Sequence, residues 1–283
     1  GEVRVLGERG PAERALLLAA LAEGESRVRY VPPSAGRVVD LLAALGIEVK
    51  RERGGSVVVG KGLRGLSPAD GVMDLEGLGD NALLVLAILA GQAFVTRVKL
   101  GVEVERAEAL LVYLAQMGMP VQQETESIYS VGKGEPVAVV CAEVDIAAAD
   151  KLALLLAGLF AEGTTVLPES AKNRNRMERL LRQRGVTVSR RREGEQYIVS
   201  VEGGQAIESL DVDVAGDLDL AYPFMLPALV LKGSQLVIKS VAVRSGQRHF
   251  LKLLRQIGAE FELEDLGKET FDLRVKPSEL KST

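Results

Sequence analysis

Arg14-Ala15-Leu16-Leu17-Leu18-Ala19-Ala20-Leu21-Ala22-Glu23-Gly24 reads as an apolar helix closed by glycine, and the pattern returns at residues 81–91, 151–163 and 218–233. The closing glycines Gly24, Gly91, Gly163 and Gly233 are spaced by roughly 70 residues, a fixed period of the kind that marks an internal repeat. A second, amphipathic set ends the same way: residues 36–46, 106–118, 174–185 and 247–258 close on Gly46, Gly118, Gly185 and Gly258. Glycine just past a helix adopts positive φ with no Cβ clash, so both ladders predict helix ends.

Strand-like runs fill the intervals. Residues 26–31, 94–100, 164–167 and 235–243 lie between the two helices of each copy. After the second helix come paired runs, predicted as hairpins: 47–52 with 56–60, 121–125 with 128–131, 187–192 with 197–201, and 260–264 with 271–275. A further strand is expected ahead of the first helix at 137–144 and at 210–214. The unit therefore reads β-α-β-α-β-β, in four copies, an α/β (α+β) architecture.

The first helix of each unit is apolar nearly all round, as Leu83, Leu84, Val85, Leu86, Ile88 and Leu89 show, and must be buried on every side. The second is one-sided. In the third copy Leu180 and Leu181 face inward, with Arg174, Arg176, Arg179, Arg182 and Arg184 expected outward.

Composition excludes several function classes. The net charge of -4 gives no pull toward nucleic acid, and the scarcity of aromatics argues against base-stacking platforms. No apolar run reaches the ~20 residues of a membrane helix, and residues 1–10 do not read as a signal peptide. With a single cysteine, Cys141, no intrachain disulfide forms, which suits a cytoplasmic location. A single histidine, His249, excludes His-based metal clusters, and no metal or cofactor is expected.

The stretch 14–28, together with Gly62-Leu63-Arg64-Gly65-Leu66, residues 154–163 and Asp213-Val214-Ala215-Gly216-Asp217, resembles EPSP synthase, the 3-phosphoshikimate 1-carboxyvinyltransferase family. The resemblance implies an inverse α/β barrel, as in the enolpyruvate transferases. That family folds as six β-α-β-α-β-β units in two three-unit lobes, helices inside a ring of sheets, with substrates in the cleft between lobes. Four units instead of six are expected here. Residues 12–207 would form one three-unit lobe, and residues 1–11 with 208–283 would supply a hinge strand plus one unit of the second. The chain would stop where a fifth unit begins, and the acid, base and later cationic groups of the family's last two units would be absent.

The implied reaction brings phosphates and carboxylates of phosphoenolpyruvate and shikimate 3-phosphate into one cleft, which calls for many cations and hydroxyl or amide donors. The family's Gly-x-Lys-Ser-x-Ser-x-Arg matches Gly7-Glu8-Arg9-Gly10-Pro11-Ala12-Glu13-Arg14: Arg14 is retained, Arg9 replaces the lysine, and Gly10 and Ala12 replace the serines. Where Leu-Gly-Asn-x-Gly-Thr-x-x-Arg is implied, Leu78, Asn81 and Leu84 hold the Asn, Thr and Arg positions, and Asp80 reads as a helix N-cap. Arg106 is the cation left in the third motif, among Glu103, Glu105 and Glu108. Ala147-Ala148-Ala149 stands for Ser-x-Gln, followed by Lys151. Arg174 lies in the fifth motif, and Asp217 is expected to cap the next helix.

On the resemblance, Arg9, Arg14, Arg106, Lys151, Arg174 and Asp217 are the candidate substrate-binding remnants, for an anionic small molecule such as shikimate 3-phosphate or phosphoenolpyruvate. No residue is assigned to catalysis. The leading expectation is a family member with a degraded, truncated site, acting as a binding, regulatory or structural module. The alternatives are an active carboxyvinyltransferase, or half of an assembly completed by another chain. An unfinished second lobe exposes apolar surface and strand edges, so self-association or a protein partner over the fourth unit is expected.

Overall fold

The computed structural model describes residues 1–101, 103–142, 146–170, 176–267 and 269–281. The chain opens with β1 (Glu2–Val3), α1 (Arg9–Ala20), β2 (Ala22–Arg29), α2 (Gly36–Ala44), β3 (Glu48–Glu52) and β4 (Gly55–Lys61). It continues through β5 (Val72–Asp74), α3 (Asp80–Ala90), β6 (Val95–Lys99), α4 (Glu103–Gln116), β7 (Val121–Gln123) and β8 (Ile128–Gly132). Then follow α5 (Ala148–Phe160), β9 (Thr164–Ser170), α6 (Arg176–Arg182), β10 (Val188–Glu193), β11 (Gln196–Glu202), β12 (Ile207–Glu208) and β13 (Val212–Asp213). The last stretch is β14 (Gly216–Asp217), α7 (Leu218–Val230), β15 (Leu236–Ala242), α8 (Ser245–Gln256), β16 (Phe261–Asp265) and β17 (Thr270–Val275).

Each of the four expected hairpins forms, and each pairs with the strand that precedes it to make an antiparallel core of three strands. The helices α1, α3 and α5 are buried among three of these sheets, in a hydrophobic core that runs from Ala12 to Val214. In α3 every residue from Asn81 to Ala90 is buried, as an apolar surface without a polar face demands. A second core gathers Val5 with residues from Leu218 to Val275. Among the described residues no helix is long and apolar enough to cross a membrane.

The second glycine ladder does what its position predicts. At Gly46 φ is +79°, its N–H donates to Ala43 O, and Ile47 N–H donates to Leu42 O, the paired bonds of a Schellman end. Gly118, Gly185 and Gly258 close α4, α6 and α8 with the same two bonds. The first ladder needs correction. Gly24 lies inside β2 rather than at a helix end, because α1 stops at Ala20. Gly91 does close α3 as its C-cap, but with φ at -80° rather than positive, and its need for glycine is steric: a Cβ there would sit 2.3 Å from the Phe160 ring.

Three other expectations change. Residues 137–142 make two isolated parallel bridges, Val137 to Glu162 and Val140 to Val166, instead of a regular strand; residues 143 and 144 of that expected strand lie outside the described residues. The strand expected at 210–214 does not join the sheet of the helix that follows it. β13 pairs in parallel with β2, in the first sheet. Exposed ion pairs flank this pairing: Arg29 donates to Asp211 Oδ2 at 3.3 Å and to Asp213 Oδ1 at 3.0 Å. Arg184, expected outward, is 2% exposed, beyond the end of α6. Burial pushes its guanidinium down to about 10, and its contacts are long ones, 3.4 Å to Ala15 O and 3.5 Å to Glu208 O.

Two segments cross side by side between the two cores. β1 pairs with β15 and β14 with the same strand, whereas α1 and β13 belong with the larger core. The crossing segments touch at Gly7 and Gly216, which form an antiparallel bridge. A Cβ on Gly7 would lie 2.4 Å from Val214 Cγ1 and 2.9 Å from Tyr30 O, so only glycine fits there.

Candidate functional site

The crossing segments lead directly into helix starts. Glu8 precedes α1 and Asp217 precedes α7, and Glu8 N–H donates to Ala215 O at 3.3 Å. Arg244 precedes α8, and its guanidinium meets the Glu8 carboxylate at 2.5 Å. That hydrogen bond, with the charges of Glu8, Asp217 and Asp219, holds Arg244 above the ordinary arginine value against the opposing effect of its burial. The α3 start joins through Asn81. Four helix N-termini, each a favourable end for negative charge, therefore share one network.

Arg9 Nε donates to Glu13 Oε1 at 2.6 Å and its NH2 to Gly77 O at 2.8 Å. Glu13 is 1% exposed, and its other oxygen accepts from Asn81 Nδ2 at 2.6 Å. Arg14 donates to Asn81 Oδ1 at 3.4 Å, a long contact that leaves its guanidinium weakly held. Burial lowers Arg14 from its ordinary value, opposed by the negative charges of Asp80, Glu8 and Glu13. Glu8 is 4% exposed, and its Oε1 has no hydrogen-bond partner among the described residues.

On the α7 side, Asp217 caps the helix as expected: its Oδ1 accepts from Asp219 N–H at 3.0 Å. Gln247 bridges Asp219 Oδ1 and the backbone of Arg244. Burial, with Asp219 and Asp217 nearby, pushes the Tyr222 phenol up to about 12. Asp80 does not cap α3. The cap position is Gly79, and Asp80 occupies the first helical turn as a charge near Arg14.

Of the residues read from sequence, the structure brings together Arg9, Arg14 and Asp217. Lys151 lies elsewhere, buried with its ammonium between Glu169 and Glu178, the latter at 2.7 Å. Arg190 completes that cluster at 2.6 Å from Glu169, with its guanidinium 3.5 Å over the Tyr197 ring. Lys151 is thus committed to packing α5, β9 and α6 together. Arg174 lies outside the described residues, as does the side chain of Arg106, which sits on α4. Glu8 and Arg244 were not singled out. Both are the residues just before a helix, and comparing what precedes every helix start is the signal that finds them.

Among the described residues no group of three or more His, Cys, Asp or Glu is arranged to hold a metal ion. A cavity of about 970 Å³ lies at the other ends of α1, α3 and α5, lined by residues 61–65, 134–137, 159–162 and 204–207. Beside it Arg64 donates to Gly91 O and Phe160 O, a cation set on two helix C-termini.

The sequence model of EPSP synthase (3-phosphoshikimate 1-carboxyvinyltransferase) matches residues 1–283. The chain belongs to the EPSP synthase family. A 3-phosphoshikimate 1-carboxyvinyltransferase of Alkalilimnicola ehrlichii is 33% identical over 99% of this chain and 65% of its own length. One of Bacillus licheniformis is 32% identical, over 100% of this chain and 68% of its own length. The chain thus spans about two thirds of such EPSP synthase relatives. Among solved structures, EPSP synthase from Acinetobacter baumannii superposes with a TM-score of 0.80 at 24% identity, covering 100% of this chain and 66% of that one. The enolpyruvyl transferase NikO from Streptomyces tendae gives 0.65 at 18% identity, over 98% of this chain and 65% of that one. These likenesses place the fold among mixed α/β enolpyruvyl transferases.

Proposed function

We propose that the surface where α1, α3, α7 and α8 begin is one wall of a cleft that binds a small phosphorylated or carboxylated ligand and serves carboxyvinyl transfer of the kind for which the relatives are named. The carrying observation is the convergence of Arg9 and Arg14 on α1 with Arg244, more than 200 residues away in the chain, where four helices begin. Helix starts and arginines are the two elements that anion recognition uses most. The match along the whole chain to carboxyvinyltransferases supports the reaction.

A second reading, ligand binding without transfer, is favoured by one feature of the same cleft. Arg9 is paired with Glu13 and Arg244 with Glu8, while Leu78, Leu84 and Ala147–Ala149 stand where the family resemblance implies polar side chains. Incubation with shikimate 3-phosphate and phosphoenolpyruvate, read by inorganic phosphate release and by calorimetry, decides. Phosphate release upholds transfer, and binding heat without release upholds the module. Neither signal overturns both.

In this reading residues 12–207 are a three-unit lobe, and residues 1–11 with 208–283 are a hinge strand and one further unit. The four glycine-closed hairpin units and the separation of the two cores support it. The smaller lobe exposes Phe224, Leu226 and Val230 on α7 and Leu231 just past its end, with Phe250 and Leu253 on α8. An apolar patch of this kind marks an interaction surface, and a second copy of the chain is its proposed cover. Light scattering is expected to show a dimer; a monomer at the same concentration overturns the pairing. A cytoplasmic location suits the lone, buried Cys141.

A further inference from the structure

We infer that Glu8 and Glu13 are built-in counter-anions that set how tightly the cleft takes an anion. Each occupies an arginine that a ligand would otherwise use: Glu13 holds Arg9 at 2.6 Å, and Glu8 holds Arg244 at 2.5 Å. Both carboxylates are almost fully buried, whereas the side chains of Arg9 and Arg244 are 41% and 61% exposed, so each pair sets a fixed negative charge behind a cation that solvent and ligand can reach. An incoming phosphate or carboxylate has to share each guanidinium with a side-chain carboxylate that already makes the same kind of charge-assisted bond, and it meets that carboxylate's repulsion. Specificity achieved by an element that opposes the wrong ligand is a general device, and here it lies beside the cations themselves.

The two acids differ in one informative respect. Glu13 uses both oxygens, on Arg9 and on Asn81, and so also ties α1 to α3. Glu8 uses one oxygen on Arg244, and its buried Oε1 accepts no hydrogen bond among the described residues. Glu8 therefore contributes its negative charge to Arg244 without tying two helices together as Glu13 does. Arg14 adds a third cation whose contact to Asn81 is long, at 3.4 Å. Neutralising Glu8 and Glu13 would therefore leave three arginines at helix starts with their counter-charge reduced to Asp80, Asp217 and Asp219.

This inference rests on the cleft being an anion site, but its test needs no transfer. Inorganic phosphate is titrated calorimetrically, at low ionic strength, into the wild-type chain, Glu8→Gln, Glu13→Gln and the double variant. Each single substitution is expected to tighten phosphate binding by about tenfold, as removal of one close counter-charge should. Arg244→Gln in the Glu8→Gln background is expected to abolish the gain. Should Glu13→Gln fail to fold, Glu8→Gln decides alone, since one of its oxygens has no bond to lose. Unchanged or weaker phosphate binding in a folded Glu8→Gln chain overturns the inference, even if the wild type catalyses transfer. A gain in the variants upholds it, even if the wild type catalyses none.

Discussion

Replacing Lys151 with methionine is expected to destabilise the larger core by about 3–5 kcal/mol, the usual result of removing one partner from a buried ion cluster. Lys151 is the cation between two carboxylates, Glu169 and Glu178, and all three side chains are within a few per cent of full burial. Without the ammonium, Arg190 still compensates Glu169 at 2.6 Å, but it reaches Glu178 only at 4.0 Å. Methionine fills similar volume, so the loss reads as charge and not as a cavity. Urea unfolding at neutral pH measures it. Adding Glu178→Gln should recover part of the loss, because the uncompensated carboxylate is then neutral. A loss under about 1 kcal/mol, the size expected of a surface pair, would contradict this account of the cluster.

Gly203→Ala is the second large effect expected, about 3 kcal/mol, at the upper end for overpacking. A Cβ on Gly203 would lie 1.7 Å from Ala161 O and 3.0 Å from Gly158 O, both at the end of α5. These are backbone atoms, and Gly203 N–H is itself bonded to Gly163 O at 2.9 Å, so neither side can retreat without breaking a hydrogen bond. Gly194→Ala is the control. It sits in the β10–β11 turn with φ +63° and open space around it, so the cost is the backbone strain of a Cβ at positive φ, about 1 kcal/mol. Thermal unfolding of the two variants should rank them widely apart. Equal midpoints would show that the close approach of Gly203 to α5 is not a constraint.

These positions also show what the amino-acid sequence reveals. The helix ends at Gly46, Gly118, Gly185 and Gly258 are local features, made by bonds within six residues, and their glycines read correctly. Gly24 and Gly91 have the same letter for other reasons. Gly91 answers to Phe160, which no local pattern connects to it. The hairpins are legible because each is contiguous, whereas β13 pairs with β2, which is far away in the chain. The site divides along the same line. Arg9, Arg14 and Asp217 follow from motif positions beside helix starts. Glu8 and Arg244 are each legible as the residue before a helix start, but their pairing depends on two segments crossing between cores, a long-range event that no local pattern reveals. Lys151 looks like a ligand-binding candidate until its two acids, Glu169 and Glu178, are brought in by the fold.

The central claim is that ligand binds where α1, α3, α7 and α8 begin. Hydrogen–deuterium exchange, with shikimate 3-phosphate and phosphoenolpyruvate both present, addresses it directly. The account predicts slowed exchange at residues 7–14, 77–82 and 216–220, the backbone that carries Glu8, Arg9, Arg14, Asn81 and Asp217. Protection confined to residues 61–65, 134–137 and 204–207, at the cavity on the opposite helix ends, would contradict it, as would unchanged exchange throughout the chain.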